Sequence, residues 1–235
     1  MPGKQAMILA AGLGTRLKPW TDSMPKALVP YNGKPLLQMV IEVLKKAGYE
    51  DIVINIHHKG DQILDFLDAS RNFGLNISIS DERKLLLDTG GGLKKAMHLF
   101  RKEPVLVHNV DVMTSLNLNE LHDFHVSRKS ILTLAVKKRN TSRALLVNAG
   151  NLLCGWHDIR SGEKIITRSD ENLVPVGFSG IYMASPEFFR MLPEHEVFPV
   201  MPEILRISSI TGVHCFSHDN DTWTDLGRTQ AFGSD

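Results

Sequence analysis

Cysteine is nearly missing from this chain of 235 residues: there are two, Cys154 and Cys215, far apart in sequence. That excludes a disulfide framework and suits a reducing compartment, so the cytoplasm is the expected location. Neither thiol has neighbours that would activate it, and no serine sits in a nucleophile elbow, so covalent catalysis is not indicated. An excess of charge of either sign is lacking too. The formal net charge is +1, which gives no reason to expect nucleic acid or an acidic membrane as partner. Any patch for phosphate must therefore be local. No apolar run approaches the length of a membrane span, and the N-terminus lacks the apolar core of a secretory signal. Internal repeats, low-complexity linkers and a tail of hexapeptide turns are also absent. One domain over 1–235 with no appended β-helix is expected. What remains is 43% hydrophobic and 23% charged, the composition of an ordinary globular protein able to bury a sizeable core.

Hydrophobic periodicity divides the chain into alternating elements. Met7 to Ala11 reads as a buried strand, and 35–48 as a helix with Leu36, Met39, Val40, Val43 and Leu44 on one face, Pro35 at its start and Gly48 at its end. Strands are expected at 51–56, 77–80 and 105–110, with a helix at 61–69 and a helix start capped by Thr89 before Gly90-Gly91-Gly92. This rhythm predicts an α/β fold, a Rossmann-like three-layer α/β/α arrangement with a mostly parallel mixed central sheet. The second half reads as a helix at 118–128, then β-like segments at 131–138, 143–148 and 152–159, joined by turns such as 148–151. A strand at 176–183, helices at 186–192 and 202–208, and a strand at 213–217 follow. The run of short β segments predicts a small antiparallel lobe.

One stretch, 7–30, organises the rest. Its strand breaks into Gly12-Leu13-Gly14-Thr15-Arg16, and Lys26 follows Pro25 further on. Two glycines at that spacing allow a tight turn and close approach of backbone N–H groups to a ligand. Arg16 adds a planar fork suited to phosphate oxygens and Lys26 a point charge. The dinucleotide fingerprint is excluded because Leu17 stands where its third glycine belongs, and the P-loop because Thr15-Arg16, not Lys-Ser/Thr, follows Gly14. In parallel sheets the ligand crevice lies beyond the carboxyl ends of the strands. Asp111 follows the strand at 105–110, so the Gly12 loop and Asp111 should converge there. Hard cations such as Mg²⁺ take one or two carboxylates, and Asp225 in Trp223-Thr224-Asp225-Leu226-Gly227 is the candidate for the second.

Gly12, Gly14, Thr15, Arg16, Pro19, Thr21, Pro25, Lys26, Leu28 and Pro30 together resemble the signature of the sugar-1-phosphate nucleotidyltransferases. That resemblance implies Mg²⁺-dependent transfer of a nucleotidyl group from an NTP to a sugar 1-phosphate, with release of pyrophosphate. It implies nucleotide contacts from Ala10, Ala11, Gly12, Gly14, Thr15, Arg16, Lys26, Glu82 and Gly90, with Arg16 and Lys26 catalytic and Asp111 and Asp225 on the metal. The antiparallel lobe becomes a sugar-binding one, with 1–110 as the nucleotide half and 111–235 as the sugar-phosphate half. Asn109, Arg168, Phe178 and Gly180 are implied on the sugar-phosphate side. Relatives hold that phosphate with a lysine in a Glu-Lys-Pro string. Here Glu163-Lys164 is followed by Ile165, and Arg168 lies nearer the expected distance. The string 88–92 looks most like the small bacterial N-acetylmuramate-1-phosphate uridylyltransferases. Mannose- and heptose-1-phosphate guanylyltransferases and choline-phosphate cytidylyltransferases are alternatives, and an NDP-sugar-binding regulatory subunit is a non-enzymatic one. A monomer and a homo-oligomer are equally compatible with the sequence. His57-His58, His122 with His125, and His214 with Cys215 and His218 lack partners at zinc spacing and are expected to be non-ligating, the first four on solvated faces.

Overall fold

The computed structural model describes residues 3–227, so the expected span of 1–235 runs beyond the described residues at both ends. The first half contains β1 (Lys4–Leu9), α1 (Trp20–Ser23), a hairpin of β2 (Pro30–Tyr31) and β3 (Lys34–Pro35), then α2 (Leu36–Lys46) and β4 (Tyr49–Ile56). It continues through α3 (Gly60–Ala69), β5 (Asn76–Asp81), α4 (Asp88–Ala96), β6 (Val105–Asn109) and β7 (Val112–Thr114). Next come α5 (Leu118–Ser127), β8 (Leu132–Lys137), β9 (Arg143–Val147), β10 (Leu153–Asp158) and β11 (Lys164–Ile166). The chain then runs through β12 (Val174–Ala184), α6 (Pro186–Arg190), α7 (Val200–Ile210), β13 (His214–Ser217) and β14 (Trp223–Asp225).

The central strands explain the layers. Along β1, Ala6 and Ile8 enter one apolar cluster and Met7 the other; along β6, Leu106 enters the first and Val105 and Val107 the second. A strand that is apolar on both faces must be covered on both. Leu36, Leu37, Val40, Ile41 and Leu44 of α2, with Ile63 and Leu67 of α3 and Leu118 and Leu121 of α5, supply one cover. Leu93 and Ala96 of α4, Phe188 and Phe189 of α6, and Ile204 and Ile207 of α7 supply the other. Helices this short are marginal alone. Burial of each such side chain, at about 1.5–3 kcal/mol, is what fixes them.

The sheet is mixed and ten-stranded, in the order β11-β10-β9-β12-β6-β1-β4-β5, with β8 pairing both β12 and β13. β6, β1, β4 and β5 are parallel, whereas β12 runs antiparallel to β6, β8 and β9. The expected antiparallel lobe is β9-β10-β11 against the start of β12, and it is continuous with the main sheet. β12 makes that continuity possible by changing partners along its length. Its first residues pair β9 and its last pair β6 and β8, with the register broken between Phe178 and Tyr182, where Gly180 has φ +75. A bulge with a left-handed glycine bends the strand at that point.

Boundaries match the sequence reading closely for the elements it named. α1, the β2–β3 hairpin, β11 and the β7–β14 ribbon are extra, all built from elements of two to four residues, too short for periodicity to reveal. Helix α4 begins at Asp88, which has φ +61, and the hydroxyl of Thr89 accepts from the Val200 N–H at 3.0 Å instead of capping the helix.

Candidate active site

β1 and β6 are adjacent and parallel with Leu9 opposite Asn109, so the two chains leaving them depart from the same edge of the sheet. The Val110 N–H donates to the Leu9 carbonyl at 3.2 Å, tying the two exits together. After β1, Gly14 takes φ +65, and a Cβ there would lie 2.8 Å from both Lys26 Cβ and Thr21 Cγ2. Glycine is therefore required for the loop to close on Lys26. Thr21 Oγ1 donates to the Gly14 carbonyl at 3.0 Å and fastens that contact. Gly12 is different: a Cβ on it would meet no protein atom within 4 Å, and its φ is not left-handed.

Asn55, near the end of β4, holds the loop from below. Its Oδ1 accepts from the N–H groups of Ala10 at 2.7 Å and Ala11 at 3.3 Å, and its Nδ2 donates to Glu82 Oε1 at 2.8 Å. Glu82 is completely buried, and its other oxygen accepts from the Leu87 N–H at 3.3 Å. Burial raises the Glu82 carboxyl above its ordinary value, against the opposing pull of the Asn55 and Leu87 donors.

A cleft of about 570 Å³ lies at this edge, lined among others by Gly12, Gly14, Thr15, Arg16, Lys26, Asn109 and Asp111. The Lys26 ammonium pairs with Asp111 Oδ2, and both side chains are largely buried, with 15% and 9% exposure. Asp225 arrives from far along the chain because β14 pairs β7 with Asp225 opposite Val112, and the Leu226 N–H donates to the Asp111 carbonyl at 2.8 Å. At Gly227 a Cβ would fall against Asp111 Oδ2, 2.9 Å from Asp225 Oδ1 and 3.2 Å from Arg16 Nη2. Two carboxylates and a guanidinium thus surround one point that only glycine leaves open. A second pocket of about 170 Å³ shares Arg16, Asn109 and Asp111 with that cleft and is also lined by Arg139, Phe178, Gly180, Trp223 and Asp225, among others. At Gly180 a Cβ would lie 2.8 Å from Asn109 Nδ2, which explains why the bulge of β12 can press against the end of β6.

The structure therefore gathers Gly12, Gly14, Thr15, Arg16, Lys26, Asn109, Asp111, Phe178, Gly180 and Asp225 around two cavities that share Arg16, Asn109 and Asp111, with Ala11 and Glu82 on the wall of the larger. It does not bring in three others. Ala10 is buried beneath the loop with its N–H on Asn55. Gly90 gives its N–H to the Phe198 carbonyl at 2.9 Å, and Asp88 and Thr89 line the cleft in its stead. The three glycines there serve packing: Cβ atoms on Gly90, Gly91 and Gly92 would collide with Phe198, the Glu196 carbonyl and Glu82 Oε1. Arg168 lines neither cavity, and its guanidinium donates to the Ser208 carbonyl at 3.3 Å. Lys164 is exposed on the sheet edge. Asn55 and Arg139 are the residues that sequence reasoning missed. A polar side chain inside the apolar run of β4 was the available signal for Asn55. Arg139 follows Lys137 and Lys138 and looks like part of an ordinary surface run.

Among the described residues no group of three or more His, Cys, Asp or Glu side chains gathers as a metal cluster. His125 is buried rather than on a solvated face, with its ring nitrogens on Thr133 Oγ1 and Ser185 Oγ at 2.9 Å each.

With this geometry in view, comparison with known proteins is decisive. The sequence model of the nucleotidyl transferase family matches residues 5–147. The N-acetylmuramate α-1-phosphate uridylyltransferase of Caulobacter vibrioides is 31% identical over 97% of this chain and 93% of its own length. The chain belongs to the sugar-1-phosphate nucleotidyltransferases. Other members of the family are similar to a comparable degree. The mannose-1-phosphate guanyltransferase of Pichia angusta is 31% identical over 97% of this chain, which spans 62% of that longer protein. In fold, HddC from Yersinia pseudotuberculosis complexed with GMP-PN superposes with a TM-score of 0.77 at 22% identity, covering 97% of this chain and 96% of that one. As a sugar-1-phosphate nucleotidyltransferase the chain is an enzyme, and its loop from Gly12 to Lys26 lies within the matched segment.

Proposed function

We propose that this enzyme transfers the uridylyl group of UTP to N-acetylmuramate 1-phosphate or a related hexose 1-phosphate. The observation that carries the reading is the convergence of Arg16, Lys26, Asp111 and Asp225, from both halves of the chain, on two cavities that share Arg16 and Asp111. The half up to residue 110 holds the nucleotide, and the half from 111 holds the acceptor.

An oxygen of the acceptor phosphate attacks the α-phosphorus of the NTP. The bond from that phosphorus to the bridging oxygen breaks, and pyrophosphate leaves with the electron pair. The nucleophile is already an anion, so no general base is needed. The obstacle is bringing two anions together and stabilising charge on the phosphoryl group. Arg16, on the wall of the cleft, grips the β- and γ-phosphates. Lys26, fixed by Gly14 and Asp111, neutralises the α-phosphoryl group under attack. The two carboxylates that meet around Gly227 form a hard-oxygen donor set that fits a divalent cation such as Mg²⁺. That cation, when bound to Asp111 and Asp225, would offset phosphate charge.

The choice of acceptor is favoured by charge. Next to Asp225 lies a basin of about 1520 Å³ whose lining includes Lys138, Arg139, Arg143 and Arg160 but only Asp158 and Asp225 of opposite sign. N-acetylmuramate 1-phosphate carries a carboxylate beyond its phosphate, which a net positive lining attracts. The equal identity to a mannose-1-phosphate guanyltransferase makes guanylyl transfer to mannose 1-phosphate the second reading.

The test is pyrophosphate release with Mg²⁺ over a matrix of the four common NTPs against N-acetylmuramate, mannose, heptose and glucose 1-phosphates and phosphocholine. UTP with N-acetylmuramate 1-phosphate is the pair expected to turn over fastest. Lys26→Ala and Asp111→Ala should each lose about a hundredfold or more in kcat while still folding, with a lowered melting temperature because each leaves the other half of a largely buried ion pair unpartnered. Near-normal rates in both variants would sink the assignment of the cleft.

A further inference from the structure

The ribbon of β7 and β14 does not fix Asp225 unaided. A pair of three-residue strands is marginal by itself. Side chains alternate between the faces of a strand, so a slip of one residue would turn Asp225 away from Asp111. Something outside the ribbon has to set where β14 begins. β13 ends with Ser217 opposite Val136, the residue before Lys137 at the end of β8, and the turn from 218 to 222 then leads into β14. Lys137 belongs to the main sheet, opposite Gly177 of β12, and its ammonium reaches into that turn. Nζ donates to the carbonyls of Asp221 at 2.7 Å and His218 at 3.4 Å, and also to that of Asp219. Backbone ties run beside it: the Lys138 N–H donates to Asp219 Oδ1 at 2.7 Å and the His218 N–H to the Val136 carbonyl at 3.0 Å. Ser179 of β12 holds both ends of the turn. Its hydroxyl lies 2.7 Å from His218 Nε2, and its carbonyl accepts from Trp223 Nε1 at 2.9 Å.

We propose that Lys137 is a positioning residue for the transfer reaction: by gathering the turn at 218–222 onto the end of β8, it sets the register in which β14 presents Asp225 beside Asp111. The inference rests on the nucleotidyl-transfer reading above, in which those two carboxylates hold a divalent cation. An ammonium has three N–H donors and no acceptor, and the three carbonyls that converge on Nζ use all of them. Bonds from a charged donor are about twice as strong as neutral ones, so this is the firmest of the ties on the turn. The last of those carbonyls belongs to Asp221, and little slack remains between it and Asp225. The Thr222 carbonyl accepts from Thr114 Oγ1 at 2.7 Å and from the Ser115 N–H at 3.2 Å. Trp223 then stands opposite Thr114 and Asp225 opposite Val112, the residue after Asp111. Lys137 itself lines neither of the two cavities, so its effect on the reaction runs through Asp225. Groups that orient the ligands of a metal commonly change its affinity by about ten- to a hundredfold when removed.

The experiment is a double-mutant cycle read by binding of Mn²⁺, with the free ion followed by electron paramagnetic resonance. The full chain is compared as wild type, Lys137→Met, Asp225→Asn and the double variant. Lys137→Met should weaken Mn²⁺ binding by about tenfold or more, and Lys137→Arg, which restores charged donors, should recover part of that loss. In the Asp225→Asn background Lys137→Met should change the affinity by less than about twofold, because a residue that acts through Asp225 has nothing left to act on. Asp219→Ala removes only the acceptor of the Lys138 N–H; it is the milder variant, should shift the affinity in the same direction, and replaces Lys137→Met in the cycle if that variant does not fold. An affinity unchanged in the folded variant would overturn the inference. So would an equal loss in both backgrounds, which would make Lys137 a support of the fold at large. A wild type that binds no Mn²⁺ would overturn it together with the cation site. Binding needs no turnover, so silence of the wild type with every substrate pair would count against the transfer reading while the cycle still decides whether Lys137 places Asp225.

Discussion

Gly12 and Gly14 are two residues apart and alike in sequence, yet the structure gives them opposite reasons. Gly14 is demanded by the protein, through φ +65 and the closeness of Lys26 and Thr21; Gly12 faces nothing of the protein. Gly14→Ala should destabilise the fold, by about 1–2 kcal/mol for the left-handed backbone alone. Gly12→Ala should leave the melting curve in place and raise the KM for NTP, because a methyl group there obstructs only an approaching ligand. Thermal unfolding and NTP titration of the two variants separate these outcomes, and equal loss of stability in both would refute the distinction. At this scale the sequence was readable where a residue's duty is local. The turn, Arg16 and Lys26 follow from spacing. The glycines at 90–92 do not, because what crowds them is Glu196, Phe198 and Glu82, none of them near in sequence. Arg168 misleads for the same reason: its partner Ser208 belongs to a helix that only the fold brings beside it.

Elements carry the loop as much as its own residues do. Asn55 on β4 and Glu82 just after β5 form a buried link that reaches the amides of Ala10 and Ala11. Asn55→Ala would leave those donors and Glu82 Oε1 unpaired in the interior, with only the Leu87 N–H still on the carboxylate. A loss of about 1–3 kcal/mol in urea unfolding is expected, along with a higher KM for NTP as the loop loosens. Unchanged stability with normal kinetics would show that the link is dispensable. The strand and helix boundaries were largely legible because apolar periods of 2 and 3.6 are set within each element. The β7–β14 ribbon was not. It is two three-residue strands from distant parts of the chain, and only their pairing places Asp225 beside Asp111.

Over the whole molecule, buried imidazoles make stability depend on pH. Burial pushes both His108 and His125 down to about 4 from an ordinary 6.5. Both are neutral when folded, so below pH 6.5 the unfolded chain takes up protons first. The stability present above pH 6.5 is lost as pH falls toward 4, by up to about 1.4 kcal/mol per pH unit for each group. Urea unfolding of His125→Gln between pH 7 and 4 should show a shallower decline than the wild type, whatever its absolute stability; identical slopes would rule His125 out as a contributor. The α/β layering was legible from the sequence, since strands apolar on both faces require helices on both sides. The partner exchange along β12 was not, because it depends on a register break at Gly180 that no local pattern encodes.

That shared strand also bears on how the chain is made. β6 is complete once residue 109 has been synthesised, but the neighbour on its outer side, β12, ends only at Ala184. Until then a nascent chain carries a hydrophobic strand with one row of N–H and C=O groups unpaired, the kind of edge that recruits other strands. The parallel half, made first, therefore exposes that apolar edge until the second half arrives. Cutting the gene between the two halves would bare the β6 edge on one fragment and the matching edge of β12 on the other.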